Sequence, residues 1–161
     1  MVILRCTNKL RKRLKQAPGV EVLSSTTLLG DWCCHLVHYG RSQAILCVSE
    51  RTRLPIFVPA LAAQTFPLRL QDALRPVLTE FGVSPAAVTG ELTEMATTVI
   101  APTTSRSLLG SLNDFQQMAG VYLSMQPVTW ESLSIQLAKT PCRPLNYATP
   151  EQVTKQRFGL A

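Results

Sequence analysis

A chain of 161 residues with 46% hydrophobic and 16% charged side chains is large enough to bury a core without disulfide or metal staples, which excludes a disordered tail and a stapled miniprotein. No apolar run approaches the roughly 20 residues that a bilayer span needs, and Met1-Val2-Ile3-Leu4-Arg5-Cys6 lacks the charged and long apolar regions of a secretory leader. The net charge of +6 is local: Arg5, Lys9, Arg11, Lys12, Arg13 and Lys15 precede the first acid, Glu21, and the other Lys and Arg balance the Asp and Glu.

Val2-Ile3-Leu4 reads as a short buried strand. Thr7 or Asn8 caps a basic helix through Gln16, with Leu10 and Leu14 as its apolar stripe and Ala17-Pro18-Gly19 as its stop. Ser24 to Leu29 is loop or edge strand. Cys33–Tyr39 and Gln43–Val48 are apolar on both faces and flank Gly40-Arg41-Ser42, which predicts a hairpin at the centre of a sheet. Pro55 and Pro59 bracket Ile56-Phe57-Val58, a strand of edge type. Leu68–Phe81 has helical periodicity, with Pro76 placed to kink or break it and Gly82 to stop it. Ser84-Pro85 opens a helix to about Met95, and Thr97–Ala101 is a β-branched strand halted by Pro102. Three more capped helices follow: Ser105–Ser124, Thr129 to about Ala138, and a short one after Thr149-Pro150-Glu151-Gln152. The expected architecture is α+β, a single globular domain over 1–161, with a small antiparallel-rich sheet covered by about five helices.

Cys6, Cys33, Cys34, Cys47 and Cys142 are odd in number and irregular in spacing, which favours reduced, buried thiols and a cytoplasmic setting. Cys33 and Cys34 point to opposite faces of a strand, as do His35 and His38, so neither pair makes a bridge or a shared metal site. No phosphate loop, dinucleotide fingerprint or nucleophile elbow is present. No catalytic residue, metal or cofactor is called for.

The densest polar motif is Ser105–Phe115. On a helical wheel Ser107, Ser111 and Asp114 align on one flank of the apolar stripe, and Gly110, Asn113 and Gln117 on the other. Gly110 admits close approach of another backbone or tight helix–sheet packing. The expected ligand or partner surface joins this helix, through Arg106, Ser107, Ser111, Asn113 and Asp114, to Asp31-Trp32 and to the loop residues Glu50, Arg51 and Arg53. In it Arg106 meets an anion, Asn113 and Asp114 supply directional hydrogen bonds, and Trp32 offers a flat apolar contact.

Five segments together carry a resemblance: Ile3-Leu4-Arg5-Cys6-Thr7-x-Lys9-Leu10, Leu29-Gly30-Asp31-Trp32, Val48-Ser49-Glu50-Arg51-Thr52-x-Leu54-Pro55, Arg106-Ser107-x-Leu109-Gly110-Ser111-Leu112-Asn113-Asp114, and Thr140-Pro141-Cys142-x-Pro144-Leu145-x-Tyr147. The pattern resembles a bacterial family known only as domain of unknown function sixty-nine thirty-three, from the first strand to about Phe158. The resemblance implies a one-domain bacterial cytoplasmic protein and assigns no activity. Families of this kind often travel with mobile elements.

The leading expectation is a non-enzymatic binding or interaction module for an unknown protein or small ligand, with a homo-oligomer allowed and no membrane partner. The alternative is a nucleic-acid-associated protein acting through Arg5, Lys9, Arg11, Lys12, Arg13 and Lys15. A third is a small hydrolase or transferase, which requires His35 or His38 against a thiol or carboxylate.

Overall fold

The computed structural model describes residues 1–15 and 24–160. Its sheet has five strands: β1 (Val2–Cys6), β2 (Trp32–Tyr39), β3 (Ser42–Ser49), β4 (Pro55–Pro59) and β5 (Thr98–Pro102), in the order β4-β3-β2-β1-β5. The hairpin is present: Tyr39 pairs with Ser42 around Gly40 and Arg41, and Gly40 takes φ 61°, as such a tight turn requires. The β2 and β3 strands lie inside the sheet because both of their faces are apolar, and β4 lies at an edge because its terminal prolines donate no ladder bond.

The expected antiparallel-rich sheet is corrected to a mixed one. The β1 strand runs parallel to both β2 and β5, while β2–β3 and β3–β4 are antiparallel. The chain between β1 and β2 carries a crossover helix, α1 (Asn8–Leu14), and such a connection returns the next strand in the same direction. Val2 N donates to Thr97 O at 2.9 Å, docking β5 beside β1 from a distant part of the chain.

Six α-helices lie among the described residues, each in a stretch the sequence reads as helical: α1, α2 (Phe66–Glu80), α3 (Pro85–Glu94), α4 (Arg106–Met125), α5 (Trp130–Leu137) and α6 (Pro150–Arg157). Local chemistry starts them where the sequence predicts. The hydroxyls of Ser84, Ser105 and Thr129 accept N–H bonds from the first turns of α3, α4 and α5, and Thr149 and Gln152 form a reciprocal capping box at α6. Two helices are exceptions: Thr7 occupies the cap position of α1 but its hydroxyl is committed to His35, and α2 starts at Phe66, ahead of the expected Leu68, with no side-chain cap from Thr65. The α1 helix is described only to Leu14, with Lys15 left-handed after it, and its expected stop at Ala17-Pro18-Gly19 lies outside the described residues.

The α2 helix runs through Pro76 without the expected break. Leu74, Val77 and Leu78 are all buried on either side of the proline, so core packing holds both halves against one lost backbone bond. Gly82 then ends the segment at φ 86°, with Gly82 N bonded to Thr79 O and Val83 N to Leu78 O.

The sheet separates two apolar layers. Leu10, α2 and α3 cover Val2, Leu4, Cys6, Trp32, Cys34 and Cys47 on one face. The α4 and α5 helices cover Cys33, Val37, Leu46, Val48 and Phe57 on the other, with Leu108, Leu112, Phe115 and Ala119 as the α4 stripe. The α5 helix also guards the β4 edge. Trp130 stacks on Phe57 at 5.5 Å between centroids, and Ser134 Oγ accepts the outward Phe57 N–H at 3.0 Å. Ser134→Ala is expected to strand that buried donor and cost about 2 kcal/mol, read as a lower urea midpoint with an unchanged slope.

Candidate functional site

The candidate residues fall into two groups joined by the β3–β4 connection. The first group is structural. Asp31 is buried, its Oδ2 accepting from Arg5 Nε at 2.7 Å and its Oδ1 from Ser25 Oγ at 2.6 Å. Asp31 N donates to Glu50 Oε2 at 3.2 Å, and Arg51 Nη1 donates to Thr27 O at 3.0 Å. Gly30, at φ 78°, lets these chains close: a Cβ there would stand 2.8 Å from Glu50 Oε2 and 2.9 Å from Arg51 Cγ. Glu91, buried on α3, accepts the N–H groups of Leu28 and Leu29 at 2.9 and 3.1 Å. Burial pushes its carboxyl above the ordinary range, opposed by those two bonds.

Two expected roles are corrected here. Trp32 offers no surface contact: it is fully buried against the α2 layer, and its Nε1 has no hydrogen-bond partner. Even positions of β2 face that layer, and pairing with Leu4 and Ser49 places residue 32 in its centre. Arg5 is withdrawn from the basic surface by its ion pair with Asp31 and by Nη1 donating to Pro102 O at 3.3 Å.

The second group is open. Arg53 holds a left-handed backbone at φ 57°, which aims its guanidinium across the sheet end to α4, where Nη2 donates to Ser107 Oγ at 2.9 Å. One and two turns along the same flank, Ser111 and Asp114 face a cleft of about 90 Å³ whose other wall includes Thr140, Cys142 and Arg143. The predicted alignment of Ser107, Ser111 and Asp114 is therefore realised on one side of α4. The structure joins Arg53 to Ser107, sets Ser111 and Asp114 further along the same flank on the cleft wall, and separately joins Asp31, Glu50 and Arg51. Arg106 and Asn113 are exposed and make no hydrogen bond or ion pair among the described residues. Gly110 faces open space, so tight packing of α4 on the sheet does not explain it.

Sequence reasoning missed the second wall. The loop after α5 is closed by Cys142 N on Ala148 O (3.0 Å) and Tyr147 N on Cys142 O (2.9 Å), with Asn146 and Tyr147 at φ 53° and 66°. Tyr147 is exposed on that loop. The signal was the Thr140–Tyr147 segment, present in the family pattern but without a reading of its own.

Thiols and imidazoles do not form a reactive pair among the described residues. His35 Nδ1 meets Thr7 Oγ1 at 2.7 Å, and His38 Nδ1 meets Lys9 Nζ at 3.2 Å. Cys6, Cys34 and Cys47 sit side by side across three strands, fully buried, with burial and mutual contact pushing Cys6 and Cys34 up. Burial also raises Cys33, to about 11, and Cys142 despite the nearby Arg53 cation. No group of three metal-ligating side chains is placed to hold an ion among the described residues, and no helix there is long and apolar enough to cross a membrane.

The family described as Domain of unknown function (DUF6933) matches residues 3–153. The chain belongs to that family. No curated protein and no solved structure matches it. The family match spans both groups of candidate residues and stops within α6.

Proposed function

We propose that the protein is a non-enzymatic interaction module that receives an acidic group of its partner at Arg53, between the Ser107 flank of α4 and the Thr140–Tyr147 loop. One observation carries the reading: Arg53 is a half-buried cation with no carboxylate bonded to it among the described residues, and its Nη1 is shielded and unpartnered. Burial lowers its pKa, the mark of a charge held partly out of water. An incoming carboxylate or phosphate relieves that deficit with bidentate geometry.

Backbone strain supports the same place. Lys15 apart, every non-glycine residue with positive φ among those described lies in one of the two loops flanking this site: Arg53 in one, Asn146 and Tyr147 in the other. Exposed Tyr147 adds the rigid aromatic area that partner surfaces favour. The adjoining cleft, walled by Ser111, Asp114, Cys142 and Arg143, is far smaller than ligand pockets of roughly 300 Å³ and above, so the acidic group meets Arg53 at the surface beside it.

Amide shifts of the labelled protein on titration with inorganic phosphate and with N-acetyl-aspartate test the reading. The expected result is saturable shifts at Ser107, Ser111 and Cys142. Arg53→Gly relieves the left-handed strain, so the fold holds within about 1 kcal/mol, while the shifts disappear. Equal shifts in Arg53→Gly and the natural chain, or no shift at those amides, overturn the assignment.

A further inference from the structure

The α1 helix has no place in the Arg53 site, yet it carries the densest charge in the molecule. Lys9, Arg11, Lys12, Arg13 and Lys15 occupy or follow its seven residues, with no acid among them. Lys9, Lys12, Arg13 and Lys15 are exposed, and none is in an ion pair among the described residues. The Arg11 guanidinium turns back onto Asn8 Oδ1, which takes it out of the array, while Lys9 Nζ meets His38 Nδ1 at 3.2 Å and has two further N–H groups to give. Stabilising the C-terminal end of so short a helix asks for one or two cations, not this many.

The side chains that fold the helix set what it can meet. Leu10 is fully buried and Leu14 packs against the same core, so the outward face holds no apolar residue to enter a lipid layer. Nor does it offer an aromatic anchor, and lysine is depleted at protein–protein contacts. Lys9, Lys12 and Arg13 follow the three- and four-residue spacing of one helical face, and exposed Lys15 directly follows the last turn. Seven residues span about 10 Å, roughly three base-pair steps at 3.4 Å each.

From these features we infer that the outward face of α1 docks on the phosphate backbone of a nucleic acid, without reading its sequence. Lys9, Lys12, Arg13 and Lys15 supply the contacts. This surface is independent of the Arg53 site, and either holds if the other fails.

The test is fluorescence anisotropy of a labelled 20-base-pair DNA duplex and of a single-stranded RNA of equal length, between 50 and 200 mM NaCl. Four phosphate contacts at about 0.9 counterions each predict that duplex affinity falls roughly 150-fold over that fourfold range of salt. Lys12→Ala, Arg13→Ala and Lys15→Ala together leave one contact, and the drop shrinks to about threefold. Arg75→Ala, Lys139→Ala and Arg157→Ala together remove the same charge from exposed positions elsewhere and leave the salt dependence as it was. Thermal midpoints of both triple variants confirm that the fold is kept. Salt-insensitive binding, equal losses in the two triple variants, or binding confined to phosphatidylserine vesicles each overturns the assignment.

Discussion

Asp31→Ala is expected to lower folding stability by about 3 kcal/mol. Asp31 is 8% exposed and its carboxylate joins three parts of the chain. It accepts from Arg5 on β1 and from Ser25 Oγ, and Ser25 Oγ in turn takes the Ile3 N–H at 2.9 Å. Truncation leaves a partly buried guanidinium without its counter-charge and the buried Ser25 hydroxyl without its acceptor, and the penalty of the unpaired groups exceeds the worth of the pair. For a domain of this length the thermal midpoint falls by roughly 10 °C. Arg5→Met combined with Asp31→Leu removes both charges and recovers most of the loss. A double-mutant cycle by urea unfolding measures this. A loss under 1 kcal/mol in Asp31→Ala would show that the pair is a surface contact and that Asp31 remains free for a partner.

A comparable loss, about 2 to 4 kcal/mol, is expected for Glu91→Ala. That change orphans the N–H groups of Leu28 and Leu29 in a site where Glu91 is 3% exposed. The affected segment also places Asp31 and Gly30, so amide exchange at Leu28 and Leu29 speeds up with it. The pH dependence has a fixed sign. Burial raises the Glu91 carboxyl above its unfolded value, so the folded state holds the proton more tightly. Its contribution to stability is fully present below about pH 4, the ordinary glutamate range, and is lost as pH rises through the raised folded value. Glu91→Gln carries no titrating group. The stability of the natural chain relative to Glu91→Gln therefore declines as pH rises from about 4 through the raised folded value, and a flat or rising difference refutes the assignment.

Much of the local structure was legible because its causes are local. A hydroxyl one residue ahead of an apolar repeat caps a helix wherever it occurs, and Ser84, Ser105, Thr129 and Thr149 all do so. Gly40-Arg41 turns the hairpin and Gly82 ends α2 for equally local reasons. The site was legible in part. Helical spacing alone puts Ser107, Ser111 and Asp114 on one flank, but it cannot say which loop faces them. Arg53 reaches Ser107 only because β3 and β4 bring their connection to the start of α4. Arg106, read as the anion contact, projects into solvent next door.

Composition and spacing thus determined the α+β class, the start of nearly every helix, the central hairpin and the local origin of the positive charge. Tertiary structure alone decided the parallel docking of β5 on β1, the burial of Trp32, the withdrawal of Arg5 by Asp31 and the meeting of Arg53 with α4. The physical reason is separation along the chain. Propensity and capping act within one or two turns, whereas strand order and buried charge pairing are chosen by which distant surfaces exclude water together.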